Sequence, residues 1–325
     1  MKRKLIVYPN CSKGGVTTVI RNRAAAEPNK QYVAVFHNDR GGRFAFDDLP
    51  NVQVRIIPPE KIESYLKGLI SSYYFDEISI LHLPRLANAL IGVGRGKLTV
   101  EFHTSALGWI MSELEQLNVD EISEFVVPSP QMYQLLQESV EPRIVEKLVV
   151  RPNQLNNQIF ASSGPADRLS AILGDGNKVP LVWIGRLEWL KGDVDFLRVA
   201  ALLPENYVAV MMISLENDAA KIERLLNEVN ALGLQDRFYF LMDLPQTEVA
   251  AILRAVRDAG GWFISTSYIE SFGYAVFEAL STGLRVAGYR PKVPVWDHLS
   301  PEDGAFFGEL GDIEELAKVV RLNSS

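Results

Sequence analysis

The apolar residues of this chain fall in short continuous runs and do not alternate with polar ones. "KLIVYP", "QYVAVFH", "VQVRII", "EISILHL", "KLTVEFH", "EFVVPS" and "KLVVRP" occupy the first half, and "VPLVWIG", "YVAVMMIS", "RFYFLMD", "GWFISTS" and "LRVAGY" the second. Runs of this length, rich in β-branched and aromatic residues, predict strands buried on both faces. Helical spacing of apolar residues marks the segments between them, among them "VTTVIRNRAAA", "PEKIESYLKGLISSYY", "VDFLRVAALL", "AAKIERLLNEVNALG" and "QTEVAAILRAVRDAG". Alternation of the two patterns predicts an α/β protein with parallel sheets. The strands are too many for one ordinary open sheet. A stretch rich in Gly, Asn, Ser and Asp, residues 156–178, reads as a linker between a domain at 1–155 and another at 179–325. The expectation is two α/β domains facing each other across a cleft, with ligands at the carboxyl ends of the strands.

Composition narrows the partners. The chain has 325 residues, 47% hydrophobic and 22% charged, with a formal net charge of -7. That balance argues against a duplex nucleic-acid partner. The single cysteine, Cys11, excludes an intrachain disulfide, and the four histidines are scattered without zinc-site spacing. Both fit a reducing cytoplasm. The first strand begins almost at once, and the most apolar tract is interrupted by Pro204, Glu205 and Asn206, so neither a signal peptide nor a membrane-spanning helix is expected. "EKIESYLKGLISSYYF" has an apolar stripe and an aromatic end that would suit peripheral contact at the inner membrane face, but packing on the sheet is the preferred reading.

Chemistry is expected at the strand-to-helix junctions. In "ESFGYAVFE", Phe272, Ala275, Val276, Ala279 and Leu280 make a helical apolar stripe with Ser271 as its N-cap. The N–H groups of Gly273 and Tyr274 would then form an anion site. Glu278, one turn on, suits a pair of ribose hydroxyls, and Glu270 would face the crevice. The plainer alternative makes Glu270 a complement to the helix dipole and Glu278 a solvated acid. In "VWIGRLEWLKGDVDFL", Arg186 and Lys191 suit a diphosphate leaving group, or are plain surface charges. Gly14 and Gly15 follow the first strand and would admit a ligand, or make an ordinary turn. His103 follows a strand and would point into the cleft, or be a structural histidine. Asp193 and Asp195 mimic a metal motif but read better as an N-cap and a dipole-complementing acid, so no metal site is expected.

Taken in order, these junctions resemble the retaining GT-B glycosyltransferases of the large family-4 type (glycosyl transferases group 1). "ESFGYAVFEALSTGLRVAGY" is similar to that family's glutamate-x7-glutamate signature and "WIGRLEWLKG" to its Gly-Arg-Leu…Lys-Gly segment. "NCSKGGVTTVI" resembles its Gly-Gly loop, "VEFHTS" its strand-end histidine, and "VRPNQLN" its interdomain Pro-Asn-Gly stretch. The resemblance implies two Rossmann-like domains and transfer of a sugar, with retention, from a nucleoside-diphosphate sugar to a sugar, lipid-linked or other small acceptor. It implies no metal or other cofactor. Arg186, Lys191 and the N–H groups at Gly273 and Tyr274 would hold the diphosphate. Glu278 would hold the ribose and Glu270 lie near the sugar. His103 would contact sugar or acceptor, and Gly14 and Gly15 would seat the donor. Leu244, after "RFYFLMD", would line the base pocket. Ser214, the missing glycine after Asn153 and the segment "GYRPKVPVWDHLS" depart from the family pattern, and the short tail implies a reduced carboxy-terminal crossing helix. The alternatives are a GT-B-like nucleotide-sugar epimerase or hydrolase and a catalytically silent nucleotide-sugar-binding scaffold. An NAD-dependent oxidoreductase lacks its phosphate fingerprint here.

Overall fold

The computed structural model describes residues 2–166, 169–174, 177–213 and 219–323, so the Ser214 position lies outside the described residues. The chain divides into two units, Met1–Gln154 and Leu155–Ser325. Each is built on one parallel sheet.

The first sheet holds β1 (Arg3–Ser12), β2 (Gln31–Arg40), β3 (Val52–Ile56), β4 (Glu77–Leu81), β5 (Lys97–Glu101), β6 (Glu124–Val127) and β7 (Leu148–Val150), in the order β3-β2-β1-β4-β5-β6-β7. Leu5 pairs with Val33 on one side and Ile78 on the other, so the apolar run of β1 lies at the centre of the sheet. The helix Gly15–Ala26 adds Val19, Ile20 and Ala24 to the core. The helix Pro59–Ser72 buries Ile62, Leu66 and Ile70 and leaves Tyr73 and Tyr74 exposed. Its apolar stripe is therefore consumed within the fold. One expectation fails on this sheet, because the central strands are not apolar throughout. Ser79 and Thr99 share a buried hydrogen bond of 2.8 Å, and Glu101 is completely buried.

The second sheet holds β8 (Val179–Ile184), β9 (Tyr207–Ile213), β10 (Phe238–Met242), β11 (Trp262–Ser265), β12 (Val286–Tyr289) and β13 (Ala305–Gly308), in the order β10-β9-β8-β11-β12-β13. The strand β13, "AFFG", was not among the predicted runs. Its core includes Leu181, Trp183, Met211, Trp262 and Ile264. The last helix, Ile313–Leu322, buries Leu316, Ala317 and Val320 against β12, β13 and the helix Asp193–Ala201. Part of the stretch that reads as a linker is hydrogen-bonded to this unit. Arg254, on the helix Gln246–Asp258, donates to the carbonyls of Ile159 (3.1 Å), Ala161 (3.0 Å) and Pro165 (2.8 Å). Among the described residues no helix is long and apolar enough to cross a membrane.

Both sheets reverse strand order beside their first strand, between β1 and β4 and between β8 and β11. In open α/β sheets such a switch point leaves a crevice at the carboxyl ends of the two strands.

Candidate active site

The switch point of the second unit brings together two segments that are distant in sequence. The turn after β8 carries Arg186 and Lys191, and the turn after β11 carries Glu270 to Gly273. Thr266 stitches them. Its hydroxyl donates to the Gly192 carbonyl at 2.7 Å and accepts from Trp183 Nε1 at 3.2 Å, while Tyr268 N–H donates to Leu190 O at 2.9 Å. Gly192 is left-handed, with φ 64°, and a side chain there would collide with the Thr266 carbonyl. Only glycine lets the two turns touch.

Across this seam Lys191 Nζ donates to Glu270 Oε1 at 2.5 Å. An ammonium has three N–H donors; one goes to Glu270. Arg186 is half exposed and lies 3.5 Å from Glu188. Neither acid nor base at this seam is an isolated surface charge.

The helix at the opening motif starts later than expected. It spans Tyr274–Ser281, its N-cap is Gly273 at φ 84°, and no side chain caps it. Ser271 is therefore not the cap, because the chain turns through the left-handed glycine before the helix begins. Phe272 also lies ahead of the helix, packed on Tyr274 and Phe277 with ring centroids 4.9 and 4.8 Å away. Tyr274 and Ala275 occupy the first turn, at the positive end of the helix. Trp296, unnoticed in the sequence, buttresses this turn. Its Nε1 donates to Phe272 O at 3.0 Å, and a Cβ on Gly273 would overlap its ring. The segment that departs from the family pattern, "GYRPKVPVWDHLS", thus supplies the wall behind the motif.

Glu278 lies one turn beyond Tyr274, but it is not a solvated acid. It is buried, and burial pushes its carboxyl up to about 8. The folded protein therefore keeps a proton that the unfolded chain releases near pH 4.5. Its contribution to stability is full below that pH and declines as pH rises to about 8, because the unfolded state binds fewer protons over this window. Glu278→Gln is expected to abolish this decline, so the variant gains on the wild type between pH 5 and 8 in denaturant titrations; parallel curves would contradict it.

The decoy acids are both engaged. The helix Asp193–Ala201 has Gly192 as its N-cap, so Asp193 is its first residue and not its cap. Asp193 accepts from Arg224 at 2.5 Å and from the Val194 N–H at 3.0 Å. Asp195 accepts from Tyr268 at 2.6 Å and Tyr289 at 3.2 Å. Among the described residues no group of three or more His, Cys, Asp or Glu is arranged to hold a metal ion. Leu244 is half buried beyond the end of β10. That strand is the edge of the sheet, two places from the switch point.

In the first unit, β1 runs through Ser12, so Gly14 is the N-cap of the helix and Gly15 its first residue. Gly14 has φ -87° and ψ 176°, an ordinary extended conformation, and donates to Ser12 Oγ at 3.3 Å. No tight glycine turn is made there. His103 lies two residues past the end of β5, with its side chain 3% exposed and Nε2 3.0 Å from Glu101 Oε2. It is held by a partner that the sequence did not reveal.

Residues 170–322 match the family model described as "Glycosyl transferases group 1". The chain is 32% identical over 108 residues to 2-deoxystreptamine N-acetyl-D-glucosaminyltransferase of Streptomyces fradiae, covering 33% of this chain and 25% of that protein. It is 32% identical over 139 residues to D-inositol 3-phosphate glycosyltransferase of Mycolicibacterium vanbaalenii, covering 39% and 30%. The matched stretches thus span less than a third of these curated relatives. Over 99% of this chain and 89% of the other, the structure is similar to Anabaena Alr3699/HepE in complex with UDP-glucose, with TM-score 0.83 and 17% identity. Sucrose-phosphate synthase from Thermosynechococcus elongatus gives TM-score 0.77 at 16% identity, covering 99% and 89%. The chain has the GT-B fold, and the stretch 170–322, within its carboxy-terminal unit, matches the Glycosyl transferases group 1 model.

Proposed function

We propose that the protein is a retaining, metal-independent glycosyltransferase that takes its sugar from a nucleoside-diphosphate sugar. The observation that carries this reading is the seam at the second switch point. Arg186, Lys191 and the positive end of the helix Tyr274–Ser281 are all placed on two adjoining turns by Thr266 and Gly192. Fixed positive groups of this kind stabilise the charge that builds on a departing diphosphate, a task that Mg2+ performs in other enzymes. Lys191 keeps one donor on Glu270 and turns the others to phosphate oxygens. Glu270 meets the donor sugar and Glu278 the ribose. Gly14 and Gly15, at the start of the first helix, and His103 are assigned to the sugar and the acceptor.

The ribose assignment has a thermodynamic consequence. Sugar hydroxyls donate best to an ionised carboxylate, whereas Glu278 is protonated in the unliganded protein at neutral pH. Binding of a nucleoside diphosphate at pH 7 is thus expected to release a proton. Calorimetry in buffers of different ionisation enthalpy reads this directly; a buffer-independent enthalpy, or one unaltered in Glu278→Gln, would remove Glu278 from the ribose.

The function itself is tested by incubating the protein with a panel of nucleotide sugars. Uridine donors come first, because a structural neighbour carries UDP-glucose. The expected result is slow donor hydrolysis with release of nucleoside diphosphate, undiminished by chelator. Tight binding without turnover of any donor would indicate a silent scaffold, and activity that needs added Mg2+ would overturn the metal-independent mechanism.

A further inference from the structure

At the end of β5 three elements converge on one buried carboxylate. Glu101, completely buried, accepts from Arg23 Nη1 at 2.6 Å and His103 Nε2 at 3.0 Å, with Arg151 Nη1 at 3.4 Å from its other oxygen. Arg23 comes from the helix Gly15–Ala26 and Arg151 from the residue after β7. Burial alone would keep this carboxyl protonated. Arg23, then His103 and Arg151, outweigh it and hold the group well below the usual carboxylate range.

An ionised carboxylate only accepts hydrogen bonds. The proton between His103 and Glu101 therefore sits on Nε2 of the ring. Burial pulls the His103 imidazole down, Glu101 draws it up, and the charge of Arg23 draws it down again, with a net lowering. A neutral ring protonated at Nε2 carries its lone pair on Nδ1. The neighbouring His82 has the opposite arrangement. Its Nε2 faces the backbone N–H of His103 at 3.4 Å, and its Nδ1 donates to Glu113 Oε1 at 3.0 Å, an oxygen that also takes Trp109 Nε1 at 2.6 Å. Glu101, Arg23, Arg151, His82 and, behind it, Glu113 are charged and titratable groups around the ring among the described residues.

We infer that Arg23 and Glu101 are positioning residues for His103, fixing its ring as the neutral Nε2–H tautomer so that it meets a sugar or acceptor hydroxyl as a hydrogen-bond acceptor through Nδ1. This rests on the assignment of His103 to the sugar or acceptor. Glu101 alone would favour an imidazolium–carboxylate pair. Arg23 already neutralises the carboxylate, so a second buried positive charge is disfavoured. The three residues act as one unit drawn from the first helix and the fifth strand.

Ring nitrogen shifts of His103, assigned by comparison with His103→Gln, test this on the wild-type protein. The expected result at pH 7 is a neutral ring protonated at Nε2; an imidazolium or an Nδ1–H ring would overturn the inference. Arg23→Met is expected to move the His103 titration to higher pH, and with it the acid limb of donor turnover. An unmoved titration would remove Arg23 from the unit. Glu101→Gln, which retains an acceptor oxygen, is expected to lower kcat by about 10- to 100-fold with little change in donor KM, as for loss of one charge-assisted hydrogen bond. A rise in KM with kcat unchanged would mean that Glu101 only maintains the fold. The nuclear readout needs no turnover, so a protein inactive on every donor, yet with the expected ring state, would sink the transferase reading and the hydroxyl contact that rests on it, while the positioning of the ring by Arg23 and Glu101 would stand.

Discussion

Lys191→Ala is expected to lower kcat by about 10²–10³-fold, the usual cost of removing one preorganised group that faces developing negative charge. The fold should survive. Lys191 is partly exposed, and its ion pair with Glu270 lies at the seam rather than in the core. The donor KM should change less than kcat, because the charge on the bridging oxygen grows only as the glycosidic bond breaks. Arg186→Ala should act in the same direction. Its guanidinium is half exposed and makes a long ion pair with Glu188. Steady-state kinetics beside thermal unfolding checks both variants. Near-normal turnover in both would mean that the two cations are surface charges and that the diphosphate leaves without them.

The second large effect concerns shape. Gly273→Ala places a Cβ on a residue at φ 84° and drives it into the Trp296 ring. The left-handed conformation costs about 1–2 kcal/mol for a residue with a side chain, and the overlap about 1–3 kcal/mol more. The turn can relieve both only by shifting the start of the helix. A displacement of about 1 Å at a group that positions a substrate costs on the order of 10²-fold in rate. Gly273→Ala should therefore lose both thermal stability and turnover. The double variant Gly273→Ala, Trp296→Ala should regain part of the turnover, since the ring that the new methyl strikes has gone. No recovery would show that the backbone angle alone matters.

The fold was largely legible because a parallel sheet buried on both faces leaves an unbroken apolar run for each strand. The run rule failed where burial and polarity coincide. β13 offers only three apolar residues, "AFF", between Gly304 and Gly308, too few to stand out. Glu101, Ser79 and Thr99 are polar residues inside central strands, tolerated because each finds a buried partner. At the site, the sequence offers Arg186, Lys191, Glu270 and Glu278 as candidates because they lie at strand-to-helix junctions. Their states were not legible. The Lys191–Glu270 pair joins residues 79 positions apart. The burial of Glu278 and the Trp296 wall likewise come from packing that local sequence does not encode. Ser271 was misjudged for a related reason. A good capping residue two places before the helix is overruled by a glycine that takes the left-handed turn. Thr266 and Gly192 could have been found by asking which small residues end β11 and precede the helix after β8.

The central claim is that fixed cations and a helix terminus in the carboxy-terminal unit hold the donor's two phosphates. A crystal structure of the protein with an intact nucleotide sugar, or its nucleoside diphosphate, tests this most directly. The expected result is phosphate oxygens within hydrogen-bond distance of Arg186, Lys191 and the backbone at Gly273 and Tyr274, with the ribose on Glu278. Phosphates bound elsewhere, or bridged to the protein by a metal ion, would contradict it.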